Sequence, residues 1–118
     1  MSIPAASPTD LISFGIEREV CVLAVYNRTE IMLAPHSLLE RNGEPFMKAV
    51  TLETDGRIPK ILKMGTFKLA GFSEIRLSGR SFSAGTLFKE VEATARRLAR
   101  AAARQERPLG RRGAANRA

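Results

Sequence analysis

The sequence predicts a small, mainly β domain with flanking helices: an SH3-like or Sm-like five-stranded barrel, a short N-terminal helix and a long basic C-terminal helix. The barrel is predicted because apolar runs of strand length alternate with turn dipeptides between residues 26 and 72, and nothing there keeps helical spacing. The C-terminal helix is predicted by leucine, valine and alanine that recur at helical spacing after residue 86. The chain has 118 residues, 44% of them hydrophobic, which is enough to bury one core without disulfides or metals.

The N-terminal helix has a clear start signal. Residues 1–7 are expected to form a flexible arm. Ser7 is suited to the N-cap, Pro8 to the first helical position and Asp10 to the positive end of the helix. We expect this helix to lie across the sheet and to end near Arg18.

Five strands are expected after this helix. Val20–Tyr26 is apolar throughout, which is typical of a central strand covered on both faces. The second strand is expected to stop at Pro35, because proline cannot donate a hydrogen bond to a ladder. Asn42-Gly43 is a strong hairpin signal, and Gly65 is expected to mark a bulge that helps the sheet curl into a barrel. The strands are expected at residues 20–26, 30–34, 46–52, 61–69 and 74–77.

The remainder of the chain is expected to be helical and basic. The helix-plus-barrel domain is predicted at 8–78, a Ser/Gly-rich linker at 79–85, a basic helix at 86–104 and a disordered basic tail at 105–118. Residues 1–88 carry ten Lys/Arg against nine Asp/Glu, whereas the rest carry nine against three, so most of the net charge of +7 lies in this region. Clustered positive charge attracts polyanions such as nucleic acid, and a solubilising tail has the same composition. The basic residues singled out are Arg96, Arg97, Arg100, Arg104, Arg111 and Arg112.

A second basic group lies within the predicted barrel. It consists of Arg57, Lys60, Lys63 and Lys68, with Lys48 across the sheet. A positive sheet face can follow a phosphate backbone. Lysines on an edge strand also protect that edge from aggregation, so both interpretations stay open.

Several classes of function are disfavoured by the residues present. The sequence has one histidine and one cysteine, and it shows no Gly-rich phosphate loop and no metal-ligand spacing. These features give no reason to expect an enzyme, a cofactor or a metal. Cys21 lies in an apolar strand and is expected to be a small buried hydrophobe. No apolar run approaches the roughly 20 residues that span a bilayer, and the N-terminus lacks the features of a signal peptide. We therefore expect a cytoplasmic protein with no membrane partner.

Four motifs, in this order, resemble the WYL domain of bacterial regulators. They are Tyr26-Asn27-Arg28 at a strand end, the turn Pro35-His36-Ser37-Leu38, the strand Gly43-Glu44-Pro45-Phe46-Met47-Lys48-Ala49 and the closing Phe67-Lys68-Leu69-Ala70-Gly71-Phe72. The resemblance covers residues 8–78. It departs from the family pattern at two places, because the Trp-Tyr-Leu triplet is Pro45-Phe46-Met47 here and the arginine of the closing motif falls at Gly71.

In that family the domain usually follows a winged-helix DNA-binding domain and is similar to sensor modules for nucleic-acid fragments or other anionic ligands. The resemblance implies a stand-alone regulatory module that recognises nucleic acid or a phosphorylated effector in transcriptional regulation. Arginine and lysine would neutralise phosphate, and flat side chains would stack on bases. The alternative is a protein-interaction or dimerisation module that acts through the C-terminal helix and keeps a vestigial barrel pocket. The residues that match the implied ligand site are Tyr26, Arg28, His36, Ser37, Phe46 and Lys68.

Overall fold

The computed structural model describes the backbone of residues 7–116 and the side chains of residues 7–103. Two helices flank five antiparallel strands along the chain, and a 3₁₀ turn (Leu69–Gly71) joins the last two strands. The other elements are α1 (Pro8–Arg18), β1 (Val20–Tyr26), β2 (Thr29–Arg41), β3 (Glu44–Thr54), β4 (Met64–Lys68), β5 (Phe72–Ser81) and α2 (Ala84–Asn116).

Helix α1 begins where the sequence predicts because side chains cap its N-terminus. The Ser7 hydroxyl accepts a hydrogen bond from the Asp10 N–H at 3.1 Å, and the Asp10 carboxylate accepts one from the Ser7 N–H at 3.4 Å. This reciprocal capping box satisfies N–H groups that have no partner inside the helix. The helix ends where Glu19 turns the chain with a φ of 57°. It also lies very close to the sheet, since a Cβ at Gly15 would be 2.8 Å from the Val20 carbonyl oxygen.

The five strands form one antiparallel sheet in the order β4-β3-β2-β1-β5, and this sheet is not closed into a barrel. The predicted barrel is therefore wrong: β4 and β5 are the two edges, and no ladder joins them. The sheet is nevertheless strongly curved. Only the three residues Leu69–Gly71 connect its two edge strands, β4 and β5, so these edges must lie close together. Tyr26 of β1 and Phe67 of β4 meet with ring centroids 5.5 Å apart, and Phe67 lies 6.0 Å from Phe72 of β5. Aromatic rings bridge the gap between the edges, and β4 ends after five residues, before a ladder to β5 can form.

Hydrophobic side chains are buried on both faces of the sheet. Strand β1 lies between β2 and β5, and its adjacent residues Cys21 and Val22 point to opposite faces and are both fully buried. The prediction of a central strand covered on each side is confirmed. The α1-side core comprises Ile12, Ala24, Ile31, Leu33, Met47, Ala49 and Leu69. The α2-side core comprises Cys21, Ala34, Val50, Leu52 and Val91.

Strand β2 is longer than predicted and continues through Pro35, where the sequence predicted its end. The register pairs of β2 with β1 reach Leu33, so the missing N–H of Pro35 leaves no gap in that ladder. On the other side, Pro35 pairs with Ala49 and the register shifts before Ser37, which leaves His36 as the extra residue of a bulge. Proline is tolerated in an interior strand at such a bulge.

Two further predictions differ from the structure, and a third is not tested by it. Gly65 lies in a regular part of β4 opposite Ala49, so the bulge expected there is wrong. Strand β5 ends at Ser81 and α2 begins at Ala84, which reduces the expected linker at 79–85 to two residues. The tail expected at 105–118 lies outside the residues whose side chains are described, and its predicted disorder stays a prediction.

Candidate functional site

A groove of about 830 Å³ lies between α2 and the β3–β4 side of the sheet. Its floor is apolar, and its rim carries three lysines, one histidine and one carboxylate. The apolar residues include Leu62, Met64, Phe88, Val91, Ala95 and Leu98. The rim residues are His36, Lys48, Lys63, Lys89 and Glu92. The groove is the space between these two sets of residues.

The groove is electropositive because its acidic residue already has a partner. The Glu92 carboxylate lies 3.7 Å from the Arg96 guanidinium, one helical turn further along α2. Within the described side chains, no carboxylate lies within 4 Å of the ammonium groups of Lys48, Lys63 or Lys89. Three lysines therefore face solvent or a ligand over an apolar floor, which suits an anion that also has an apolar or flat part.

The position of α2 depends on a contact between the two helices' ends. The Glu19 carboxylate accepts a hydrogen bond from the Ala84 N–H at 2.9 Å, and the Glu19 carbonyl oxygen accepts one from the Phe82 N–H at 3.0 Å. A carboxylate at a helix N-terminus is favourable because it satisfies a free N–H and faces the positive end of the helix dipole. Val91, 5% exposed, then holds the helix on the α2-side core. Glu19 therefore fixes where the groove opens.

His36 connects the sheet to α2 at the mouth of the groove. Its side chain is exposed because the bulge turns it outward, and its Nδ1 lies 2.9 Å from the Ser37 hydroxyl oxygen. The edge of its ring meets the ring of Phe88 with centroids 4.8 Å apart. Ser37 pairs in register with Lys48, so three polar side chains meet at this point. Of the six residues predicted for the ligand site, His36 and Ser37 lie here.

Phe46 and Lys68 lie on the same face of the sheet as Lys48, further along β3 and β4. They are register partners across the two strands. The Lys68 ammonium is 2.7 Å from the Glu44 carboxylate, and the Arg41 guanidinium lies 5.6 Å from the centre of the Phe46 ring. These contacts occupy the lysine and one face of the ring, and neither residue is among those that line the groove.

Tyr26 lies on the other side of the sheet, where it is half-buried against the α1-side core. Its ring packs against Phe67 and against Phe72, whose centroid is 5.0 Å away. A Cβ at Gly71 would lie 2.5 Å from the Tyr26 Cε1. Tyr26 therefore fills the space next to position 71, which gives a physical reason for a glycine at this position.

Arg28 is also separated from the groove. It is exposed in the turn between β1 and β2, with a φ of 63°. His36 lies eight positions further along the extended chain, which corresponds to a path of up to about 26 Å. The structure therefore does not assemble the six predicted residues into one site.

The basic row of α2 is exposed as far as its side chains are described. Arg96 contacts Glu92, and the Arg97 guanidinium donates to the Thr94 hydroxyl at 3.3 Å. Arg100 is also exposed. Arg104, Arg111 and Arg112, which the sequence also singled out, lie outside the described side chains. This part of α2 continues past the groove, with Leu98, 39% exposed, at their junction.

The groove was missed from the sequence because its two walls are distant along the chain. Phe88 and Lys89 belong to the predicted C-terminal helix, and Met64 belongs to the strand predicted at 61–69. The signal that could have identified it is the alternation at 87–92, where apolar and charged residues share one helical turn. That pattern does not show which strand the helix contacts.

Cys21 does not add chemistry to this region. Burial raises the pKa of its thiol above the ordinary value of 9.0; the nearby Arg80 lowers it and Glu53 raises it further. Such a thiol is a poor nucleophile at neutral pH. The described residues also contain no cluster of three or more histidine, cysteine, aspartate or glutamate side chains that could hold a metal ion. No helix in the described part of the chain is both long and apolar enough to cross a membrane.

The fold is thus a small α/β domain in which an open, curved sheet lies between an N-terminal and a C-terminal helix. A scan of protein-family models, a search of curated proteins and a search of solved structures each found no match. The resemblance to the WYL domain therefore stays a prediction from the motifs.

Proposed function

We propose that this chain is a binding module for nucleic acid or a phosphorylated effector, with the groove as its primary ligand site and a regulatory role of the kind that the WYL resemblance implies. The observation that carries this proposal is the set of Lys48, Lys63 and Lys89 around an apolar floor. The lysines would contact phosphate oxygens, and the floor would accept the flat part of the ligand.

The size of the groove favours a ligand the size of one or two nucleotides. Pockets for small molecules typically measure roughly 300–1,000 Å³, and this groove has a volume of about 830 Å³. Phe88 and His36 offer aromatic surface at its mouth, and stacking of a base on such surface contributes roughly 1–3 kcal/mol. The exposed arginines Arg96, Arg97 and Arg100 would extend the contact to a longer phosphate backbone.

Fluorescence anisotropy tests the proposal. The intact chain is titrated into labelled dinucleotides and 12-mers of single-stranded DNA and RNA at several salt concentrations. Lys48→Gln removes one charge from the groove, and Arg28→Gln removes one charge from the far end of β2. We expect Lys48→Gln to weaken binding several-fold and to reduce the salt slope by about 1, because one phosphate contact is lost.

Arg28→Gln is the matched control and should leave affinity and salt slope unchanged. Equal losses in both variants would mean that binding follows net charge and not the groove. Absence of binding to any oligonucleotide, followed by absence of binding to nucleoside phosphates, would refute the proposed function.

A second candidate function is a protein-interaction or dimerisation module that acts through α2. It is favoured by Leu98, which is apolar and 39% exposed where the groove ends. In that case a partner helix would occupy the groove. Light scattering of the intact chain and of Leu98→Gln distinguishes the two, because self-association that Leu98→Gln abolishes supports this candidate.

A further inference from the structure

The loop between β3 and β4, residues 55–63, exposes two large aliphatic side chains. Ile58 is 73% exposed and Ile61 is 42% exposed. Single exposed hydrophobics are common on protein surfaces. Here two exposed isoleucines three residues apart belong to the same short loop, and this loop is also one of the most basic segments of the chain.

Three cations alternate with these isoleucines: Arg57, Lys60 and Lys63. No acidic residue occurs between residues 56 and 73. The Asp55 carboxylate, at the base of the loop, is directed to β2, where its Oδ1 accepts a hydrogen bond from the Glu30 N–H at 3.1 Å. In the described part of the chain, none of the three cations has a carboxylate within 4 Å.

The neighbouring helix adds one charge of each sign beside the loop. Arg97 and Glu90 of α2 line a small cavity together with Lys60 and Ile61. These two charges cancel, so the loop keeps a net charge of +2 from Arg57, Lys60 and Lys63 against Asp55. Exposed isoleucine side chains therefore lie between cations that have no carboxylate partner among the described side chains, and the surface of the loop is both hydrophobic and electropositive.

We propose that this loop, residues 55–63, is a contact site for an anionic lipid surface. Ile58 and Ile61 enter the boundary between headgroups and acyl chains, and Arg57, Lys60 and Lys63 lie at the level of the lipid phosphates. Burial of apolar side chains and attraction of cations to anionic lipids are the two contributions that hold a protein on a membrane without spanning it. The sequence-based expectation of no membrane partner considered spanning segments, which this contact does not need.

Two other occupants fit the loop less well. A nucleic acid would use the cations but would leave the isoleucines in water. A protein partner would need a patch of about 800 Å², with 20–30 residues on each side, and two isoleucines on one loop supply a small part of that. An anionic bilayer uses both kinds of side chain at once.

Co-sedimentation with vesicles tests the inference. The intact chain is mixed with phosphatidylcholine vesicles and with vesicles containing about one-third phosphatidylserine, at physiological salt. We expect binding to the anionic vesicles and little binding to the neutral ones. The double variant Ile58→Ser, Ile61→Ser should weaken binding at least about tenfold, because several buried methylene equivalents are lost.

Phe14→Ser is the matched control. Phe14 of α1 is 42% exposed, as Ile61 is, and it lies on the opposite side of the sheet. Its loss should leave vesicle binding unchanged, and thermal melts of all variants confirm that each chain is folded. Vesicle binding that is absent, or that is the same with and without the isoleucines, would overturn the inference.

The same double variant separates a lipid contact from the other occupants. Its affinity for a labelled oligonucleotide and its oligomeric state, measured by light scattering, should equal those of the unmodified chain. A loss of oligonucleotide binding would place the loop in a nucleic-acid site, and a loss of self-association would place it in a protein interface. Either result overturns the lipid assignment. Lys63, which belongs to both the loop and the groove, is unchanged in this variant. The proposed function is tested separately by Lys48→Gln.

Discussion

Replacing Gly71 by alanine tests the close packing at the open side of the sheet. A Cβ built at this position would lie 2.5 Å from the Tyr26 Cε1 and 3.3 Å from its Cδ1 and Cζ. Tyr26 cannot easily withdraw, because Phe67 and Phe72 hold its ring at centroid distances of 5.5 and 5.0 Å. The φ of Gly71 is not in the left-handed region, so the cost of Gly71→Ala is steric.

The expected size of the effect follows from overpacking. Forcing an extra methyl group into a well-packed core typically costs roughly 1–3 kcal/mol, and each kcal/mol lowers Tm by about 4–8 °C in a domain of up to 100 residues. We therefore expect Gly71→Ala to lower Tm by about 4–24 °C. Gly71→Arg, which adds a larger side chain at the same position, should destabilise the fold at least as much.

Thermal unfolding followed by circular dichroism measures the effect, and a double-mutant cycle assigns its cause. In the Tyr26→Leu background, which lacks the atom at 2.5 Å, the added cost of Gly71→Ala should fall below about 0.5 kcal/mol. Gly79→Ala is the control, because an added Cβ there meets no atom within 4 Å. If Gly71→Ala is as harmless as Gly79→Ala, or if its cost is unchanged in the Tyr26→Leu background, the packing argument is wrong.

Two further predictions concern the attachment of α2 and the buried thiol. Glu19→Ala should lower the free energy of unfolding by roughly 0.5–2 kcal/mol, because the Ala84 N–H loses its acceptor, and should weaken ligand binding in the groove. Chemical denaturation measures the first effect and fluorescence anisotropy the second. An unchanged denaturation midpoint would contradict the capping role. Burial raises the pKa of the Cys21 thiol, so the folded state keeps its proton at a pH where the unfolded state has released it. The contribution of the protonated thiol to the free energy of unfolding is therefore complete below pH 9.0 and decreases above it. As the pH rises above 9.0, the unmodified chain should lose stability relative to Cys21→Val. A stability difference between the two chains that does not change with pH would contradict this prediction. Because Cys21 is buried, a thiol reagent should react with it no faster than the chain unfolds.

Local signals in the sequence were sufficient for the elements whose structure depends on adjacent residues. The Ser7-Pro8-Thr9-Asp10 start predicted α1 because the capping partners are three residues apart. The apolar run Val20–Tyr26 predicted β1 to the residue. Asn42-Gly43 predicted the β2–β3 hairpin, and both residues have the positive φ that such a turn needs.

The course of β2 could not be predicted from these signals. Proline was expected to end the strand, yet its effect depends on which strand lies beside it, and β1 no longer pairs with β2 at Pro35. The bulge that results turns His36 out of the sheet. Gly65 was expected to mark a bulge, yet it pairs in regular register with Ala49 of β3, a strand that its own local sequence does not identify.

The sequence by itself determined the helices, the strand pattern, the turns and the charge asymmetry, because each of these depends on residues within about one turn or one hairpin of each other. The tertiary structure decided that the sheet stays open and which of the predicted ligand residues come together. It placed Tyr26 in the core beside Gly71, kept Arg28 at the far end of β2, and brought Lys89 to Lys48 across a groove. These outcomes depend on contacts between residues far apart in the chain, and no local pattern specifies such contacts.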